Sequence, residues 1–338
     1  MTILASHNDS VRAGSGTWQQ QMKWAVRDLK TLQERLDLPD LVKKGALAAE
    51  SFSVFVPLPL LSRMKPGDLA DPLLRQVLPL DDENQSPAHF SIDPLGENQA
   101  SLQPGLMQKY HGRVLLVTTG ACAVHCRYCF RRHFPYDLSP TSVDQWEPAI
   151  KQIAADSSIE EVILSGGDPL TIVDGTLNKL INRLGEIEHL KRLRIHTRLP
   201  VMIPQRVTDS LIEMLGSTRL HSIVVIHVNH ANELDESVKQ ALERLQSSGA
   251  TLLNQTVLLR GVNDDGDALI ELSQRLLDCR VLPYYLHQLD PVVGTSHFEV
   301  PRERGEALIR EMRARLPGYA VPRYVKELEG ELNKTVWA

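Results

Sequence analysis

The sequence predicts an α/β fold: a partial (β/α)6 barrel preceded by a mainly helical N-terminal extension. Two features of the barrel half carry this. Apolar, β-branched runs alternate with helical stretches six times from residue 113 onward. Unusual polar residues gather just beyond those runs, at the strand ends where barrels of this kind place their chemistry. The first half differs in kind, being broken by prolines rather than by a regular alternation.

The extension is read as residues 1–105 and the barrel as residues 106–338. WQQQMKWAVRDLKTLQERL, at 18–36, has apolar residues at helical spacing and stops before Pro39, which predicts one amphipathic helix. Residues 52–104 contain PLPLL, KPGD and DPLGE, breaks that predict short helices and loops wrapped on another body. No low-complexity tract or repeat is visible. The N-terminus lacks a basic segment followed by an apolar core, so no signal peptide is expected. No stretch approaches the run of about 18 apolar residues that a membrane helix needs.

In the barrel the strand candidates are RVLLVTT (113–119), EVILSGG (161–167), RLRIHTR (192–198), SIVVIHVN (222–229), TLLNQTVLL (251–259) and VLPYYLHQ (281–288). Amphipathic stretches follow most of them, for example 235–247 and 301–315. Such alternation predicts right-handed βαβ units and a parallel sheet. Six units suit a partial barrel better than a closed eight-fold one. The polar residues at the strand ends are Thr119, Ser165, Gly166, Gly167, Asp168, Arg198, and those of 227–230 and 287–290.

Hydrophobic residues make up 42% and charged residues 23%, the balance of an ordinary globular protein. The net charge of −5, with no long basic run, argues against a broad nucleic-acid or anionic-membrane surface. Four cysteines do not make a disulfide framework. Three of them lie within eight positions, which in a reducing compartment points to metal or redox chemistry, and a cytoplasmic location is expected.

Those three are Cys122, Cys126 and Cys129, in GACAVHCRYCFRR just beyond the first strand. Thiolates are soft ligands suited to iron–sulfur clusters, and a C-x3-C-x2-C loop can surround one cubane while leaving its fourth iron open. The alternatives are a structural zinc site completed by His125 or His133, or buried free thiols. Zinc sites usually pair C-x2-C with a distant second half, so the spacing favours the cluster. Cys279, before the sixth strand, is expected to be a buried structural thiol.

With this spacing after the first strand, and SGGDP after the second, the chain resembles the radical S-adenosylmethionine (SAM) superfamily. The resemblance implies a TIM-like radical SAM barrel with a [4Fe–4S] cluster on the three cysteines. It also implies that Gly166, Gly167 and Asp168 form the family's glycine–glycine–acid contact to SAM. KYHGRVLLVTTGACAVHCRYCFRRHF, LSGGDPL, IHTRLPVMIPQRVT, HVNHANE, NQTVLLRGVNDD, LPYYLHQLD, HFEVP and GYAVPRYV narrow it to the lysine 2,3-aminomutase family, over residues 18–334. PLPLLSRM, ADPLLRQVLP and DPLGE resemble the bacterial branch that makes β-lysine for elongation factor P.

Moving an amine between adjacent carbons needs a route for nitrogen, and an imine to pyridoxal phosphate (PLP) supplies one. PLP needs a lysine, and Lys334 matches the position of the family's Schiff-base lysine; without the resemblance it would read as a solvated tail residue. By the same resemblance Arg113 and Lys109 hold the PLP phosphate, and Arg131 takes the carboxylate of lysine. Asp290 and Glu327 take its ε-ammonium. His230, with Asn229, and Gln255 are expected to line the SAM site, a purely structural role being equally open. The chain departs from the family at ELEGELNK, where only Gly330 remains of a glycine-rich loop and Glu327 replaces an aspartate.

The expected partners are L-lysine, a reductant protein and the elongation factor P pathway. A monomer or weak homodimer is expected, because the chain stops four residues after Lys334. The competing readings are an aminomutase for another amino acid, a zinc-stabilised binding protein, and a radical SAM enzyme acting on RNA.

Overall fold

The fold was analysed in a computed structural model, which describes residues 11–39, 42–97 and 99–338. One ten-stranded sheet forms its body, with strands in sequence order from edge to edge. All six expected strands are present: β3 (Arg113–Thr119), β4 (Glu161–Gly166), β5 (Arg192–Thr197), β6 (His221–His227), β7 (Thr251–Val257) and β8 (Leu282–His287). They pair in parallel. The long helices that alternate with them include α6 (Val143–Ala155), α7 (Asp174–Gly185), α10 (Glu236–Ser247), α11 (Gly266–Asp278) and α12 (Arg302–Arg315). β4 is buried along its whole length, so its apolar residues Val162, Ile163 and Leu164 are consecutive rather than alternating.

Four further strands flank these. β1 (Ser101–Gln103) and β2 (Leu106–Tyr110) form a hairpin antiparallel to β3. At the far edge β9 (Arg323–Lys326) runs parallel to β8, and β10 (Thr335–Val336) returns antiparallel to β9. These strands are short, polar and partly exposed, so they carry almost no apolar periodicity. Their register matters for the site. Pairing Thr335 with Lys326 sets Lys334, one residue earlier, across from Glu327, one residue later.

The single amphipathic helix expected at 18–36 is instead two short ones, α1 (Trp18–Trp24) and α2 (Leu29–Arg35). Between them Val26 leaves helical geometry to exchange backbone hydrogen bonds with Val56, at 2.8 and 2.9 Å. Asp28 then caps α2 by accepting from the Thr31 amide. A tertiary bridge thus outweighs helical spacing that the sequence carries unbroken. The remaining extension helices, α3 (Val42–Ser51), α4 (Leu58–Leu61) and α5 (Pro72–Arg75), are short as expected.

Extension and barrel share one apolar core, in which Leu32, Val56, Leu60 and Leu74 join Leu116, Leu164 and Val201. Arg63 donates to the Val201 carbonyl at 2.7 Å, and Arg206 lies 4.9 Å over the Trp18 ring. The firmest tie is ionic. Fully buried Arg127 makes a two-pronged contact with Glu83, at 2.8 and 2.5 Å, and Arg132 reaches the same carboxylate at 2.8 Å. Glu83→Ala strands both cations and is expected to lower stability by about 3–5 kcal/mol, read from denaturant unfolding. A loss below about 1 kcal/mol, the scale of an exposed pair, would show that the contact holds nothing.

Candidate active site

The cysteine loop leaves the end of β3 and folds back over the barrel mouth. Its backbone is tied to the extension: the His125 amide donates to Phe55 and the Arg127 amide to Gln76, at 3.0 and 2.8 Å. Cys122, Cys126 and Cys129 are partly buried and form no disulfide, while Cys279 is buried at the end of α11. Burial pushes the Cys122 thiol well up and the Cys129 thiol up to about 11, so both need a positive centre before they become thiolates. Among the described residues, no three histidine, cysteine or acidic side chains converge on a single ion.

The histidines considered as zinc ligands point elsewhere. His125 bonds the Ser53 carbonyl at 2.8 Å and stacks on Phe52 at 5.1 Å, and His133 meets the Val293 carbonyl at 3.1 Å.

SGGDP packs directly under the loop. Gly166 has φ +121°, and a Cβ there would stand 2.5 Å from the Thr119 carbonyl. A Cβ on Gly167 would stand 2.3 Å from that of Ala121. The amides of Gly167 and Asp168 donate to those same carbonyls, both at 2.7 Å. Glycine is therefore required by the loop itself, whatever ligand approaches. The Asp168 carboxylate is saturated from within the protein. It accepts from the Thr197 hydroxyl and from the amides of Arg198, Leu199 and Leu170, at 2.7, 2.7, 2.9 and 3.0 Å. Asp168 thereby ties the ends of β4 and β5 together.

His230 caps a short turn, its ring accepting from the Asn232 amide at 3.1 Å. Asn229 is buried and donates to the Tyr128 hydroxyl at 2.6 Å. Gln255 shares a register row with His227 on one side and Tyr285 on the other. Four buried nitrogens near these strand ends have no partner: Nε of Arg198, and Nε2 of His196, His227 and His287. Burial lowers the pKa of all three histidines. An unmatched buried donor or acceptor costs about 1–3 kcal/mol. Such atoms along one lumen, beside three soft thiols, suit bound polar cofactors.

An alternating chain of charges runs from the cysteine loop to Lys334. Arg131 grips Glu97 through two bonds of 2.7 Å and donates to the Ser165 hydroxyl at 2.9 Å. Lys109 stands 3.9 Å from Glu97 and bonds Glu327 at 2.8 Å. Glu327 also pairs with Lys334. Desolvation would raise the Glu327 pKa, but Lys334 and Lys109 overcome it and hold it near about 2.

The expected ligand groups thus pair with other charged groups of the chain. The Arg131 fork, expected to meet a substrate carboxylate, is filled by Glu97. Lys109, expected at a phosphate, serves Glu327. Asp290 is partly buried and held by Lys326 at 3.3 Å, desolvation raising its pKa. Arg113 lies 4.7 Å over the Tyr110 ring, beside a polar cleft with His111, Ser158, Glu161 and Arg192. Sequence reasoning missed Glu83, Glu97, Gln76 and Tyr110. Glu83 lies outside the quoted segments, whereas Gln76, Glu97 and Tyr110 lie within ADPLLRQVLP, DPLGE and KYHGRV; each meets its partner only through the fold.

The sequence pattern of the Radical SAM superfamily matches residues 116–272. The chain is 46% identical to an L-lysine 2,3-aminomutase of Haemophilus influenzae, covering 95% of each chain. It is 45% identical to that of Escherichia coli, over 94% of this chain and 93% of the other. Against that of Clostridium subterminale it is 36% identical, over 94% of this chain and 77% of the other. This chain belongs to the L-lysine 2,3-aminomutase family of the radical SAM superfamily.

Proposed function

We propose that this protein is an L-lysine 2,3-aminomutase, converting L-α-lysine to β-lysine. The observation that carries the reading is the charged chain joining a three-cysteine loop at one end of the lumen to Lys334 at the other. When bound, the [4Fe–4S] cluster and SAM supply one-electron hydrogen abstraction, and PLP supplies a conjugated carrier for the migrating nitrogen. Cys122, Cys126 and Cys129 would hold the cluster, and Lys334 would anchor PLP, with Arg113 and Lys109 facing its phosphate. Gly166, Gly167 and Asp168 shape the floor under SAM, with His230 and Gln255 beside it.

The chain's own side chains then do the positioning. Arg131 still has one Nη2 N–H beyond those given to Glu97, Ser165 and the Gly166 carbonyl, and this would take the substrate carboxylate. Asp290 and Glu327 flank the place for the ε-ammonium. A substrate ending in a carboxylate would meet two acids there, so lysine is favoured over glutamate.

We infer too that the β-lysine serves elongation factor P and that a reductant protein supplies the electron. The resemblance of the PLPLLSRM and DPLGE segments to that branch supports the first. Among the described residues no helix is long and apolar enough to cross a membrane. A cytoplasmic monomer or weak homodimer, with residues 1–105 as an extension on the 106–338 barrel, completes the reading.

Anaerobic incubation of reconstituted protein with SAM, PLP, a reductant and labelled lysine should yield β-lysine only when all three additions are present. Unchanged lysine after SAM cleavage would overturn the substrate. Cys126→Ala should abolish SAM cleavage. Lys334→Ala should lose β-lysine while retaining iron and sulfide; an undiminished yield would remove Lys334 from its role. Glu327→Gln should raise KM for lysine tenfold or more, since one charge-assisted hydrogen bond contributes about 1.5–3 kcal/mol. An unchanged KM would take Glu327 out of substrate binding.

A further inference from the structure

Arg198 stands just past β5, and its side chain turns to the cysteine loop. It is 7% exposed. Its Nη1 donates to the Cys126 sulfur at 2.8 Å, and its Nη2 donates to Gln76 at 2.6 Å and to Glu233 at 2.8 Å. Its backbone amide is held by Asp168 at 2.7 Å, and Tyr128 lies 5.7 Å from the guanidinium. The partners are themselves fixed. Glu233 is fully buried and accepts from the amides of Asn229 and His230, at 2.9 and 3.1 Å, and from Gln76 at 3.1 Å. The guanidinium is thus clamped in one orientation, with its Nε buried and unpartnered beside the loop.

We infer that Arg198 is a positioning residue that acts through Cys126 to raise the reduction potential of the cluster, with Glu233 as its counterweight. The inference rests on the cluster reading above. An electron added to an iron–sulfur centre adds negative charge that spreads onto its thiolates. A fixed cation hydrogen-bonded to one of those sulfurs, in a dry site, stabilises the reduced form more than the oxidised one. Glu233 opposes this from behind the guanidinium and holds it in place. Gln76, a neutral group from the extension, accepts from Nη2 beside Glu233 without changing the charge.

The test is an EPR-monitored redox titration of anaerobically reconstituted protein, with iron and sulfide measured on every sample. Arg198→Met should load the cluster and lower its midpoint by about 59 mV or more, a tenfold fall in the reduced-to-oxidised ratio at fixed poise for a one-electron couple. Arg198→Lys, which keeps the charge, should recover part of that shift. Glu233→Gln should move the midpoint the other way. A loaded Arg198→Met with the wild-type midpoint would overturn the inference. If Arg198→Met does not load, Glu233→Gln decides alone, and an unchanged or lowered midpoint rejects the role. Wild-type protein without iron and sulfide would reject the cluster reading itself, and the inference with it.

Discussion

An arginine that leaves water needs a carboxylate, and the cysteine loop carries Arg127, Arg131 and Arg132 into the interior together. Both carboxylates that meet them come from the extension: Glu83 for Arg127 and Arg132, and Glu97 for Arg131. The shape of the loop is therefore not its own property. It depends on a segment that contributes no cysteine and no barrel strand between β3 and β9. Removing that segment would leave three desolvated cations around the thiols, which is why extension and barrel form one core.

The same constraint gives the lumen its electrical layout. Positive and negative groups alternate from Arg131 through Glu97, Lys109 and Glu327 to Lys334. Each charge is compensated locally, so the lumen can close without an unpaired ion. Under the proposed function a ligand carboxylate would reach Arg131 beside Glu97, and an ammonium would reach Glu327 in competition with Lys334. Binding at either end exchanges one partner for another of the same sign, which favours ligands bearing both charges at a fixed separation. α-Lysine is such a ligand.

Much of this was legible from the sequence. The six central strands announce themselves through their apolar residues, consecutive in β4 as Val162, Ile163 and Leu164 and alternating in β5 and β7. The cysteine spacing is local and survives any fold. What stayed hidden is what the fold brings together. β9 and β10 are too short and polar to read, yet their register places Lys334 across from Glu327. Glu97 and Glu83 look like solvated acids until Arg131 and Arg127 arrive from 34 and 44 residues away. The break between α1 and α2 follows from a bridge to Val56 that no helical periodicity encodes.

The central claim is that the two ends of the lumen act on one lysine molecule. It is tested most directly by incubating the reconstituted protein with lysine deuterated at C3 and following the isotope by mass spectrometry. The account predicts deuterium in recovered SAM and at C2 of β-lysine. SAM cleavage at full rate, with no deuterium leaving lysine, would contradict it.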